Sequence, residues 1–190
     1  MPRQFTGLDA ARIRANLDRI RSEIADAGRD PAEVDILAAV KYVPVDEIGT
    51  LAEAGLTLLG ENRAQELEEK ASRFPDFRWH FIGQLQSRKV KSILPHATLI
   101  HSVASESALR QLATHGTPET EVLLEVNVVG LMTMPPFAED PERSRPHFAA
   151  LRELAQAHGL EHLSMGTSQD FAVAAAEGAT IVRIGTSLYT

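Results

Sequence analysis

The sequence predicts an α/β fold, a (β/α)8 TIM barrel built as a single domain over residues 1–190, and two observations lead there. Short apolar runs alternate with stretches of helical periodicity along the chain, as in a parallel sheet whose strands are joined by right-handed helical crossovers. Eight such runs can be counted, the number at which a parallel sheet closes on itself. A chain of 190 residues, 44% hydrophobic and 24% charged, has room for one core.

The elements follow in order. Ile13, Leu17, Ile20 and Ile24 recur at helical spacing among charged residues, and Gly28 and Pro31 mark the end of that helix. Val34 to Val40 is nearly continuous in apolar character, as suits a strand buried on both faces, and it ends on Lys41. A helix from Val45 to Ala54 is closed by Gly55, and Leu56 to Leu59 is the second strand. A helix from Asn62 to about Phe74 precedes the third strand, Arg78 to Ile82. Helix Gln84–Leu94, strand Thr98–Val103 and helix Ser105–His115 continue the alternation. The fifth strand is Glu121–Val128 and the sixth Leu131–Met134. A helix from Pro141 to His158 leads to the seventh strand, Leu163–Met165, and a helix from Gln169 to Glu177 to the eighth, Thr180–Ile184.

One junction breaks the pattern. Only Val129 and Gly130 separate the fifth strand from the sixth, whereas a parallel crossover needs a dozen or more residues. Either the two strands form a hairpin or a segment is missing between strands five and six. The short length against about 250 residues for such a barrel favours a helix and loop omitted after Val128.

Composition excludes several classes of function. Asp and Glu outnumber Lys and Arg, 26 to 19, and the formal charge of -7 argues against a nucleic-acid partner. The absence of cysteine removes disulfides, thiolate metal sites and thiol nucleophiles. No metal-ligand spacing such as His-Glu-x-x-His occurs. The start of the chain lacks the apolar core of a signal peptide, and no run approaches the roughly 20 apolar residues that span a bilayer. No membrane partner and a soluble cytoplasmic protein are the expectations.

In such a barrel the reactive groups gather at the carboxyl ends of the strands, with phosphate held after strands seven and eight. The chain there reads Gly166-Thr167-Ser168 and Gly185-Thr186-Ser187. Glycine lets a backbone approach an anion, and hydroxyls and helix-terminal N–H groups can donate to it. The same residues are also ordinary turn and N-cap chemistry that needs no ligand. Lys41 ends an apolar strand, where partial desolvation disfavours the ammonium form and favours attack on an aldehyde; taken alone, it reads more readily as a lysine reaching from a strand end into water. Together they suggest a ligand with both aldehyde and phosphate, either pyridoxal 5'-phosphate or the sugar phosphate of a Schiff-base aldolase. Trp79 reads as core; His80 and His101 lie toward strand ends. Glu66, Glu68, Glu69 and Lys70 read as a polar helix surface, and Arg88, Lys89 and Lys91 as a basic cluster on a solvated face.

Several runs occur in the order found in one family: Leu37–Lys41, Leu59–Glu66, Trp79–Gln86, Ile100–Val103, Leu124–Val128, Gly130–Met134, Leu163–Gly166 and Val182–Thr186. Over essentially its whole length the chain resembles the pyridoxal-phosphate homeostasis proteins, a single-domain family whose fold is similar to the barrel domain of alanine racemase. The resemblance implies that Lys41 carries pyridoxal 5'-phosphate as an internal aldimine, that Ser168, Gly185 and Thr186 hold its phosphate, that Arg183 lies beside the pyridine nitrogen and that Asn62 lies near the ring. A fixed cation at that nitrogen opposes its protonation and weakens the ring as an electron sink. The chain departs from the family at Tyr42, Val43, Thr167 and Thr190, and lacks a Gly-Glu-x-x-Lys stretch after Val128.

The function this implies is cofactor homeostasis: reversible binding of pyridoxal 5'-phosphate without efficient catalysis, with apoenzymes that use the cofactor as partners and a monomer or weak homodimer as the assembly. The alternative is an amino-acid racemase. Racemisation needs an acid/base group on each face of the substrate carbon, and the tyrosines here are Tyr42 and Tyr189. A cofactor-free aldolase fits the Gly60–Arg63 and His80–Gly83 motifs poorly.

Overall fold

The structure, a computed structural model, describes residues 4–103, 105–117, 121–122 and 129–190. In chain order its elements begin with α1 (Ala10–Asp26), β1 (Asp35–Ala39), α2 (Ile48–Glu53), β2 (Leu58–Glu61), α3 (Ala64–Arg73), β3 (Arg78–Phe81), α4 (Val90–Ile93) and β4 (Leu99–Ile100). They continue with α5 (Glu106–His115), β5 (Glu121–Val122), β6 (Gly130–Met132), α6 (Arg145–Ala157), β7 (His162–Thr167), α7 (Phe171–Ala176), β8 (Ile181–Ile184) and α8 (Thr186–Tyr189). They group into two compact units, Met1–Leu8 with Ala39–Val129, and Asp9–Ala38 with Gly130–Thr190.

In the second of these units β1 runs parallel to β8, β8 to β7 and β7 to β6, with Asp35 opposite Ile181 and Ala38 opposite Ile184. α1 packs on α7 and α8. Its buried stripe is Ile13, Leu17, Ile20 and Ile24, the residues whose spacing predicts the helix, and Asp9 caps it by accepting from the Arg12 N–H. β7 extends to Thr167, beyond the expected Met165. A register shift between Ser164 and Thr167 is absorbed at Gly166, which has φ +88°. A Cβ there would lie 2.6 Å from the Ala174 Cβ, so this glycine admits α7 against the strand. Packing against α7 is therefore enough to require a glycine here.

In the other unit β2, β3, β4 and β5 pair in parallel in that order. Trp79 is core as expected: it is 2% exposed, its indole donates to the Phe74 carbonyl at 2.9 Å, and it meets Phe77 edge-on. β2 is shifted toward the Gly60-Glu61 pair, because these residues stay in register with His80 and Phe81. The expected helix over Gln84–Leu94 contracts to a 3-10 turn, Ser87–Lys89, and the single turn of α4; no side chain caps either start. Of the fifth strand Glu121–Val122 is seen, paired with β4; residues 123–128, and with them the site of the expected omission, lie outside the described residues. β6 takes its partner from β7.

Candidate functional site

β1 ends at Ala39, and Val40 continues its course only far enough for its N–H to reach the Gly60 carbonyl at 2.9 Å. The Val43 N–H then bonds back to the Val40 carbonyl, so Lys41 lies in a turn rather than at the strand's last position. It is exposed, not partly desolvated as its apolar run suggests, and its ammonium sits 4.9 Å from the Tyr42 ring centroid, within cation–π range. Lys41, Tyr42, Arg63, Glu66 and Lys70 border an open depression of about 750 Å³. Asn62, also exposed, opens the turn from β2 into α3 and borders a separate depression of about 220 Å³ with Phe81, Gln84 and Gln86. Gly83 is required here: a Cβ would stand 2.3 Å from the Asn62 carbonyl oxygen.

Between these two residues lies a buried ion pair that the sequence reading misses. Lys70, assigned there to a polar surface, is 3% exposed, and Glu61 is fully buried. The Lys70 ammonium donates to Glu61 at 2.6 Å, to the Val40 carbonyl at 2.9 Å and to Glu66 at 3.1 Å. The second oxygen of Glu61 accepts the N–H groups of Asn62 and Arg63. The missed signal was periodicity, since Lys70 follows Leu67 by three positions and borders Ala71 on the buried face of α3. Partial burial would raise the Glu66 carboxyl, but the Lys70 and Arg63 cations outweigh it and hold the group below the usual carboxylate range. His80 and His101 form a second buried pair, Nδ1 to Nε2 at 2.9 Å.

In the other unit three of the expected residues meet in one place. Ser168 Oγ accepts the Gly185 N–H at 3.0 Å and the Ser187 N–H at 3.3 Å. Thr186 lies between them, exposed, at the start of α8. The positive helix terminus expected after β7 is displaced. α7 starts at Phe171, and the Asp170 carboxylate fills the preceding turn by accepting from Thr167 N–H and Oγ1. Arg183, 7% exposed on β8, donates to the Ser164 carbonyl and hydroxyl and to the Thr133 carbonyl. Burial pulls its guanidinium down to about 10, partly offset by the Asp170 charge, so it remains a fixed cation at neutral pH. Ser168 Oγ accepts two backbone N–H groups and can donate its own hydrogen, and the Ser187 hydroxyl is buried with no hydrogen-bond partner among the described residues, so the two hydroxyls are donors suited to an anionic oxygen. The residues present thus fit the phosphate end of a pyridoxal 5'-phosphate group. Among the described residues there is no cluster of His, Asp and Glu placed to hold a metal, and no helix long and apolar enough to cross a membrane.

No family model matches the chain. It is, however, 38% identical to the pyridoxal phosphate homeostasis protein of Aquifex aeolicus, covering 94% of this chain and 96% of that one. The chain belongs to the pyridoxal phosphate homeostasis protein family. The family member of Pseudomonas aeruginosa is also 38% identical, over 90% of each chain. Among solved structures, PipY of Synechococcus elongatus with PLP bound superposes with a TM-score of 0.76 at 31% identity, covering 94% of this chain and all of that one. Alanine racemase of Corynebacterium glutamicum, at 14% identity and a TM-score of 0.69, covers 95% of this chain and 60% of that one, and shares the fold alone. The Aquifex alignment runs over 218 positions, more than the 190 residues of this chain, so the family member there carries residues with no counterpart here.

Proposed function

We propose that this protein binds pyridoxal 5'-phosphate reversibly and serves its homeostasis without efficient catalysis. Lys41 supplies the amine that carries the cofactor, Ser168, Gly185 and Thr186 hold the phosphate, Arg183 faces the pyridine nitrogen and Asn62 contacts the ring. The observation that carries this reading is the convergence of the Gly185 and Ser187 N–H groups on Ser168 Oγ, in a chain whose relatives are named for the cofactor. A bound cofactor of this kind supplies an aldehyde for amines and an electron sink. Arg183 limits the sink, because a guanidinium that stays charged opposes protonation of the nitrogen it faces. Its hydrogen-bond acceptors, the oxygens of Ser164 and Thr133, are neutral, and the Asp170 charge that also acts on it favours the charged form.

The same reading treats residues 1–190 as one domain whose parallel strands close into an eight-stranded barrel. It places the residues that the Aquifex relative has and this chain lacks after Val128. Apoenzymes that use the cofactor receive it, and the protein acts in the cytoplasm as a monomer or weak homodimer. A racemase reading has no support beyond a likeness of fold.

The test is a titration of the purified protein with pyridoxal 5'-phosphate, followed by borohydride reduction and peptide mapping. The expected result is a visible absorbance band and one pyridoxyl adduct, on Lys41, with both lost in Lys41→Ala. An adduct confined to other lysines overturns the assignment.

A further inference from the structure

The buried pair of Lys70 and Glu61 is placed with unusual economy. Each member is bonded to backbone next to a residue assigned to the cofactor: Lys70 to the carbonyl of Val40, the peptide that leads into Lys41, and Glu61 to the N–H of Asn62. The ammonium has three donors and three acceptors, Val40, Glu61 and Glu66, so it is fully satisfied where it stands. Such a pair is a poor device for stability alone, since removing two charges from water costs about as much as their attraction returns. Apolar residues of the same volume would hold α3 on the sheet as well. What apolar residues could not do is fix the direction of a carbonyl and an N–H on two different strand ends.

The Val40 carbonyl also accepts the Val43 N–H, which closes the turn without help from Lys70. The ammonium therefore adds orientation to a turn that forms anyway. We propose that Lys70 and Glu61 are positioning residues: a clamp that holds the Val40–Lys41 peptide and the Asn62 backbone in one fixed relation, and so sets how well Lys41 captures an aldehyde. The proposal rests on the reading that Lys41 carries pyridoxal 5'-phosphate.

The experiment uses the double variant Glu61→Gln with Lys70→Met, which removes both charges and strands neither. Its melting temperature is compared with that of the natural protein, its affinity for pyridoxal 5'-phosphate is titrated by the visible band, and the adduct is mapped after borohydride. The expected outcome is a folded protein whose affinity falls about 10- to 100-fold, the range found when groups that orient a ligating side chain are removed. Combined with Lys41→Ala, where the band is lost and affinity is read by equilibrium dialysis instead, the clamp change should cost nothing further, because it acts through Lys41. Should the double variant not fold, Glu61→Asp keeps the charge and shortens its reach, and the same readouts decide. Unchanged affinity in a folded variant, or a loss that simply multiplies that of Lys41→Ala, overturns the clamp and leaves the cofactor assignment standing. An unmodified Lys41 in the natural protein overturns both.

Discussion

One nitrogen of the Arg183 guanidinium reaches two oxygens of Ser164, the carbonyl at 2.8 Å and the hydroxyl at 2.6 Å. A second reaches the Thr133 carbonyl at 3.0 Å. A cation buried near the end of β8 is thus fixed by neutral acceptors on β7 and just past β6, its direction set. Hydrogen bonds to charged groups are worth about 1.5–3 kcal/mol. Ser164→Ala removes one acceptor and leaves the carbonyl in place, so unfolding in urea should show a loss of about that size with the slope of the transition unchanged.

Gly166→Ala should cost more. The residue would adopt φ +88° with a side chain, and its Cβ would stand 2.6 Å from the Ala174 Cβ and 3.0 Å from the Phe171 Cα. Left-handed backbone strain and overpacking together give about 2–4 kcal/mol. A melting point within one or two degrees of the natural protein's would show that α7 can withdraw from β7, and that Gly166 is not dictated by packing.

The contrast between these two positions shows what the sequence made legible. Strand-and-helix alternation located β1, β3, β7 and β8 within a few residues, because buried parallel strands write continuous apolar runs and α1 writes a periodic stripe. The Ser168–Gly185 meeting was legible because both residues follow strand ends that the topology places side by side. At Gly166 the sequence shows a glycine without showing that Ala174 and Phe171 of α7 are the neighbours that crowd it. Lys70 was hidden because a charged residue on a helix is normally solvated, and only its buried carboxylate partner, nine residues earlier, makes it tolerable inside. The exposure of Lys41 depends on where β1 stops pairing, which no local pattern specifies.

A pH dependence follows from Glu177, which bridges Arg145 and Arg152 and is 12% exposed. The hydrogen bond from Arg145 lowers its carboxyl below the ordinary range; burial opposes this, and the Arg152 bond and charge reinforce it. A group depressed on folding contributes stability that is present above its unfolded pKa and disappears as pH falls through the folded one. The melting temperature of Glu177→Gln should therefore lie below that of the natural protein at pH 7, with the gap narrowing once pH drops below the usual carboxylate range. A gap that is constant down to pH 3 would assign the effect to shape rather than charge.

The phosphate assignment has its own consequence, separable from that of Lys41. Ser168 Oγ holds two backbone N–H groups on one point, whereas Thr186 is exposed beside them. Ser168→Ala should then weaken binding of pyridoxal 5'-phosphate more than Thr186→Ala does, and the two together by about 10- to 100-fold, the worth of one or two charge-assisted hydrogen bonds. Pyridoxal lacks the phosphate but keeps the aldehyde, so its affinity should change little in the same variants. The decisive quantity is the ratio of the two affinities, because a general loss of structure weakens both ligands alike. A phosphate site at Ser168 collapses the ratio while borohydride still traps the adduct on Lys41; a ratio equal to that of the natural protein places the phosphate elsewhere.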